Sequence, residues 1–121
     1  MRIMDKDELK RRTKKFALDV IRLVESLPPG YAGQVIGRQL LRSGTSVGAN
    51  YRAACRAKSA ADFIAKMGIV EEEADECMYW MELLGETQGA QPDKLQPLMT
   101  EADEIVAITV ASIRTAKENK K

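Results

Sequence analysis

Phe63, Met67, Val70, Ala74, Cys77, Met81 and Leu84 follow one another at steps of 4-3-4-3-4-3 without a break. Such spacing keeps every member on one face of a 3.6-residue helix. A strand would scatter the same residues over both faces of a sheet. The spacing therefore predicts a helix over residues 60–85, with Ser59-Ala60-Ala61-Asp62 as its capping box. A helix with one apolar row must bury that row against others, so the rest of the chain has to supply partners.

It supplies three. Residues 6–27 carry Leu9, Phe16, Val20, Leu23 and Leu27 at the same spacing, with Thr13 filling the missing step. Ala17, Ile21 and Val24 widen the stripe, Asp5 can cap the start with Glu8 three residues on, and Pro28-Pro29-Gly30 stops the helix. Residues 32–57 carry Ile36, Leu40, Ser43, Val47, Asn50 and Ala54. Residues 93–117 carry Leu95, Met99, Ala102, Val106, Thr109 and Ile113, with Leu98, Ile105 and Ile108 beside them, and Lys117–Lys121 reads as a frayed tail. Four amphipathic helices joined by short turns predict an all-α, antiparallel up-and-down four-helix bundle, one domain over residues 1–121.

The helix over 32–57 is the unusual one. Gly33, Gly37, Gly44 and Gly48 gather on one flank with Tyr51. Four helical glycines cost about 4 kcal/mol relative to alanine, at roughly 1 kcal/mol each. Close approach of a partner helix offsets that cost, because glycine has no side chain to hold the axes apart. A break between Ser43 and Gly48 is the other reading. Asn50, set in the apolar row, would fix register or cap a neighbouring backbone.

Composition narrows the function. There is no histidine, and the two cysteines alone cannot make an ordinary zinc site. The usual general base near neutral pH and the Ser-His and Cys-His pairs are thereby absent. The carboxylates Glu72, Asp75 and Glu76 share a face but lack the histidines of a di-iron bundle. No catalytic residue, metal site or cofactor is predicted. No apolar run approaches the ~20 residues of a membrane span, and the charged Met1–Lys15 segment lacks a signal-peptide core. These features predict a cytoplasmic, non-enzymatic protein.

Net charge is +1, but residues 1–58 hold 13 Lys/Arg against 5 Asp/Glu, a balance of +8, and residues 59–121 hold 6 against 13, a balance of −7. Helix-to-helix charge matching and a basic face for an anionic partner both explain that split. Arg38, Arg42, Arg52 and Arg56 form a narrow stripe about 27 Å long at 1.5 Å per residue. Arg11, Lys14 and Lys15 add a basic cluster in the first helix. These seven side chains either solvate the surface, pair with acids, or bind the phosphates of RNA or DNA. Ile69, Trp80 and Leu83 lie off the main apolar row and predict an oligomer interface, or an edge of the core that Trp80 covers.

The stretch Gln39-Leu40-Leu41-Arg42-Ser43-Gly44-Thr45-Ser46-Val47-Gly48-Ala49-Asn50-Tyr51-Arg52 resembles the signature of the four-helix-bundle proteins encoded in intervening sequences of bacterial 23S ribosomal RNA. Arg56–Met67 and Glu73–Leu84 agree with it. The resemblance is strong over residues 16–84 and extends to the last helix in pattern. It departs at Ala53, where the family often has an acid, and at Glu72, where it often has a base. It implies a homopentamer with no known enzymatic activity. A related branch includes the accessory variability determinant of diversity-generating retroelements, a basic pentamer that works with a reverse transcriptase and nucleic acid. That similarity implies nucleic-acid contacts at Arg38, Arg42 and Arg52. The expected partner is another copy of the chain. RNA or a nucleic-acid-processing protein is the alternative.

Overall fold

Two capping side chains start two of the four helices. Asp5 Oδ1 accepts from the Glu8 N–H at 2.8 Å and begins α1, Lys6–Glu25. Ser59 Oγ accepts from the Asp62 N–H and begins α3, Ala60–Glu86. Asp62 completes the second cap by accepting from the Lys58 N–H rather than from the N-cap residue itself. Between them lies α2, Tyr31–Cys55, and the chain ends in α4, Pro92–Asn119. The computed structural model describes residues 5–87 and 89–119, and contains no strand among them.

Each helix packs on the next in sequence, and α4 returns to α1 lightly. Thr13 lies against Gly48, Val20 against Gly44 and Leu27 against Gly37, so α1 and α2 run antiparallel. α2 is continuous through Ser43–Gly48, and the break does not occur. The core is built from Phe16, Val20, Leu40, Val47, Met67, Val70, Met81, Leu84 and Ile105. The row that defines α3 is buried from Met67 to Leu84, with Phe63 half-buried at its start.

Three polar residues interrupt the rows, and each satisfies itself locally. Thr13 Oγ1 donates to Leu9 O at 2.9 Å, Ser43 Oγ to Gln39 O at 3.0 Å, and Thr109 Oγ1 to Ile105 O at 2.7 Å. A hydroxyl that bonds back one turn leaves no orphan polar atom in the core. Cys77 Sγ then donates to Ser43 Oγ at 3.3 Å, tying α3 to α2.

Two expected rows are rotated. In α2, Tyr51 is buried, while Asn50 is half-buried and donates from Nδ2 to Ser46 O of its own helix at 2.8 Å. Asn50 thus neither fixes register across helices nor caps a neighbour. The reason is the glycine flank: α1 approaches closest there, so α2 turns that flank, and Tyr51 with it, inward. In α4 the buried residues are Leu95, Leu98, Ala102, Ile105 and Thr109, whereas Met99 and Val106 are half-buried. The apolar stripe of α4 is wide enough to allow either row, and contact with both α3 and α1 selects the Leu98–Ile105 side. The tail expected from Lys117 is helical to Asn119; Lys120 and Lys121 lie outside the described residues.

The glycine seam makes a sharp prediction. A Cβ on Gly44 would sit 2.8 Å from Val20 Cγ1, whereas one on Gly68 meets nothing within 4 Å. Gly44→Ala should be destabilising, because overpacking costs about 1–3 kcal/mol against about 1 kcal/mol gained in helix propensity. Gly68→Ala should stabilise by about 0.5–1 kcal/mol. Urea denaturation of both, with Val20→Ala added to Gly44→Ala, checks the pairing: the double variant should recover part of the loss.

A second prediction concerns pH. Burial pushes the Cys77 thiol up from 9.0 to about 12, and burial also raises the Tyr51 phenol above its ordinary 10.0. A group whose pKa is raised on folding stabilises fully below its unfolded pKa and loses that contribution as pH rises to the folded value. Stability should therefore fall from about pH 9 upward. Cys77→Ala should remove the part that begins near pH 9 and leave the Tyr51 part, which begins near pH 10, in denaturation curves taken across that range.

Candidate functional site

The outer faces of α1, α2 and α3 hold the residues the sequence singled out. Of the seven expected nucleic-acid contacts, the fold brings four to one end of the molecule. The Thr13–Gly48 contact sets the register, so the first half of α1 lies level with the last half of α2. Arg11 and Lys14 on α1, with Arg52 and Arg56 on α2, share that end, and all four are exposed. Among the described residues none of them has an ion pair.

The other three stand apart. Lys15 bonds Asp19 at 2.7 Å and faces the α4 side of α1. Arg38 is exposed toward the opposite end of α2. Arg42 is engaged by α3: its Nη1 donates to Glu73 Oε2 at 3.1 Å, and its Nη2 donates to Glu76 Oε1. The hydrogen bond that Arg42 donates to Glu76 leads the causes that raise the Arg42 pKa. Arg42 therefore stitches α2 to α3.

Glu76 also organises the aromatic pair. Its Oε1 accepts from Trp80 Nε1 at 3.1 Å. The Trp80 ring meets the exposed Tyr79 edge-on, with centroids 5.1 Å apart. Trp80 is half-buried and packs on the core, and Leu83 is half-buried as well. Five large apolar side chains are exposed among the described residues. Tyr79 at 54 % and Ile69 at 41 % lie on α3, Tyr31 at 89 % and Val35 at 42 % on α2, and Leu18 at 41 % on α1. Arg42 shows which side of α2 meets α3. Projected at about 100° per residue, Tyr31 and Val35 fall on that side, as Ile69 and Trp80 fall on the α2 side of α3. The seam between α2 and α3 thus carries an outward apolar strip with the Arg42–Glu73–Glu76 cluster in its middle.

The sequence singled out Ile69, Trp80 and Leu83 but not Tyr31, Val35 or Tyr79. The missing signal is positional, since these three fall on the stripes of α2 and α3 that the apolar rows leave outward. It also passed over Arg12, which bridges α1 and α4 through Glu101 and Glu104, both at 2.6 Å. These contacts, Glu101 foremost, raise the Arg12 pKa further. Arg12 shares a flank with Phe16 and Leu23, which could have marked it as half-buried. Among the described residues no three His, Cys, Asp or Glu side chains converge to hold a metal ion. Among the described residues no helix is long and apolar enough to cross a membrane.

The comparisons agree with this architecture. No curated protein matches. A crystal structure of a protein with unknown function from the S23 ribosomal protein family of Bacteroides thetaiotaomicron superposes with a TM-score of 0.85 at 35 % sequence identity, over 92 % of this chain and 99 % of that one. The family of 23S rRNA-intervening sequence proteins matches residues 6–111. With its four helices matched nearly from end to end, the chain belongs to the 23S rRNA-intervening sequence protein family.

Proposed function

We propose that this chain is a non-enzymatic helical module that assembles with copies of itself through the outer face of α2 and α3, and that it acts as a scaffold. The observation that carries this reading is the placement of exposed apolar side chains. Four of the five large ones lie on α2 and α3, next to a half-buried tryptophan. Aromatic and aliphatic side chains gathered around an arginine are the composition of an interface core. The glycine flank is not part of the case, because α1 of the same chain covers it. Five copies is the number that the family resemblance implies.

Light scattering on the purified protein at micromolar concentration tests it. The wild type should have a multiple of the 13.4 kDa chain mass. Ile69→Glu with Tyr79→Glu should give a monomer of unchanged helix content. A monomeric wild type, or an unchanged mass in the variant, would sink the assembly.

One observation favours nucleic acid as a second reading: Arg11, Lys14, Arg52 and Arg56 gather at one end with no ion pair among the described residues. Cations without carboxylate partners are available to phosphate. In a titration of labelled structured RNA at about 50 and about 200 mM salt, affinity should fall by orders of magnitude, because phosphate contacts release counterions. Arg52→Glu with Arg56→Glu should abolish binding at the lower salt without unfolding the protein. Equal binding by that variant would remove the cluster from consideration.

A further inference from the structure

The side of the bundle opposite the α2–α3 seam holds a different feature. α4 packs mainly on α3, so a cleft of about 610 Å3 is left open between α1 and α4. That volume lies within the range of small-molecule sites, roughly 300–1,000 Å3. Phe16, Leu23, Pro97 and Leu98 give it an apolar floor.

Its charged rim is unbalanced. At the far end Arg12 is matched by Glu101 and by Glu104 just outside the lining, whereas toward Ser26 the lining sets Lys15, Arg22 and Lys94 against Asp19 alone. The two lining carboxylates are already engaged. Asp19 is shared by Lys15 at 2.7 Å and Arg22 at 3.0 Å, and Glu101 is held by Arg12. Lys94 has no ion pair among the described residues and stands at the Ser26 end. From Arg12 to Ser26 the α1 wall runs about 21 Å at 1.5 Å per residue.

We infer that this cleft binds a single-chain anionic amphiphile of the fatty-acid class. The carboxylate lies between Lys94 and Arg22, and the alkyl chain runs over Leu23, Phe16 and Leu98 toward Arg12. The excess of cations selects the sign of the head group. The apolar floor selects the tail. The Arg12–Glu101 pair closes the far end. The inference does not depend on assembly, because it uses neither Ile69 nor Tyr79.

The test is an NMR titration of methyl-labelled protein with monomeric sodium dodecanoate, below its micelle concentration. Leu23 and Leu98 methyl signals should shift and saturate, while Trp80, on the opposite side, should keep its fluorescence. Dodecyltrimethylammonium should not saturate the same signals. Lys94→Glu with Arg22→Glu, both at exposed positions, should weaken dodecanoate binding about tenfold, the size expected for two partly screened charge contacts. Absence of a saturable shift in the wild type, equal affinity for the cationic detergent, or unchanged affinity in the charge-reversed variant would each overturn the proposal. Binding to anionic phospholipid vesicles without binding of monomeric dodecanoate would overturn it too, since the occupant would then be a membrane surface.

Discussion

The structure depends on how closely α1 can approach α2. Gly44 leaves room for Val20 that a single methyl group would fill, Gly37 does so less tightly for the end of Leu27, and a methyl group on Gly48 would only touch Thr13. The intrinsic cost of glycine in a helix is offset here by packing between two helices that would otherwise stand further apart. That approach decides which residues of α2 turn inward. Tyr51, on the glycine flank, is drawn into the core, and Asn50 is left to bond its own helix. It also sets α1 against α2 rather than α4. The space between α1 and α4 remains a cleft spanned by the guanidinium of Arg12.

The division of charge between the two halves of the chain follows the same layout. α1 and α2 are the basic helices, while α3 carries eight carboxylates against Lys66 alone. One arginine from each basic helix reaches an acidic neighbour: Arg42 reaches Glu73 and Glu76 on α3, and Arg12 reaches Glu101 and Glu104 on α4. Charge matching inside the chain therefore accounts for part of the asymmetry. It leaves the basic end at Arg11, Lys14, Arg52 and Arg56 outside these pairs. Pairs as exposed as Arg42 with Glu76 add little stability; their effect is on which faces meet and which side chains remain available.

The helices were legible because their rows are long. Seven positions at 4-3 spacing in α3 leave no other period open, and each helix boundary lies within two residues of its expected place. Rotation about the helix axis was less legible. In α4, Leu98 and Met99 are both apolar, so sequence alone cannot choose between them, and the choice falls to the neighbours. In α2, the row through Asn50 and the flank through Tyr51 differ by one residue, or about 100°. The apolar pattern favoured the row, and the size of α1's side chains favoured the flank. Surfaces were hardest to read. Whether Arg42 faces solvent or Glu73 depends on two helices meeting at one level, and that information is not local to either of them.

The same geometry keeps three surfaces apart. The apolar strip lies on the α2–α3 seam, the Arg11, Lys14, Arg52 and Arg56 cluster lies at one end of α1 and α2, and the cleft lies between α1 and α4. Helices that pack around a square place the α2–α3 and α1–α4 sides opposite each other. A copy docked on Tyr79 and Ile69 would therefore leave Lys94 and Arg22 in solvent. Arg52 turns toward the α1 side of α2, whereas Arg42 turns toward α3, although both belong to one stripe in projection. A stripe that looks continuous in sequence is thus split between an internal ion pair and an open cationic end. Assembly would engage the first and leave the second exposed on the rim. A module with this layout can hold copies of itself together by one face and still offer charge and a cleft on the others.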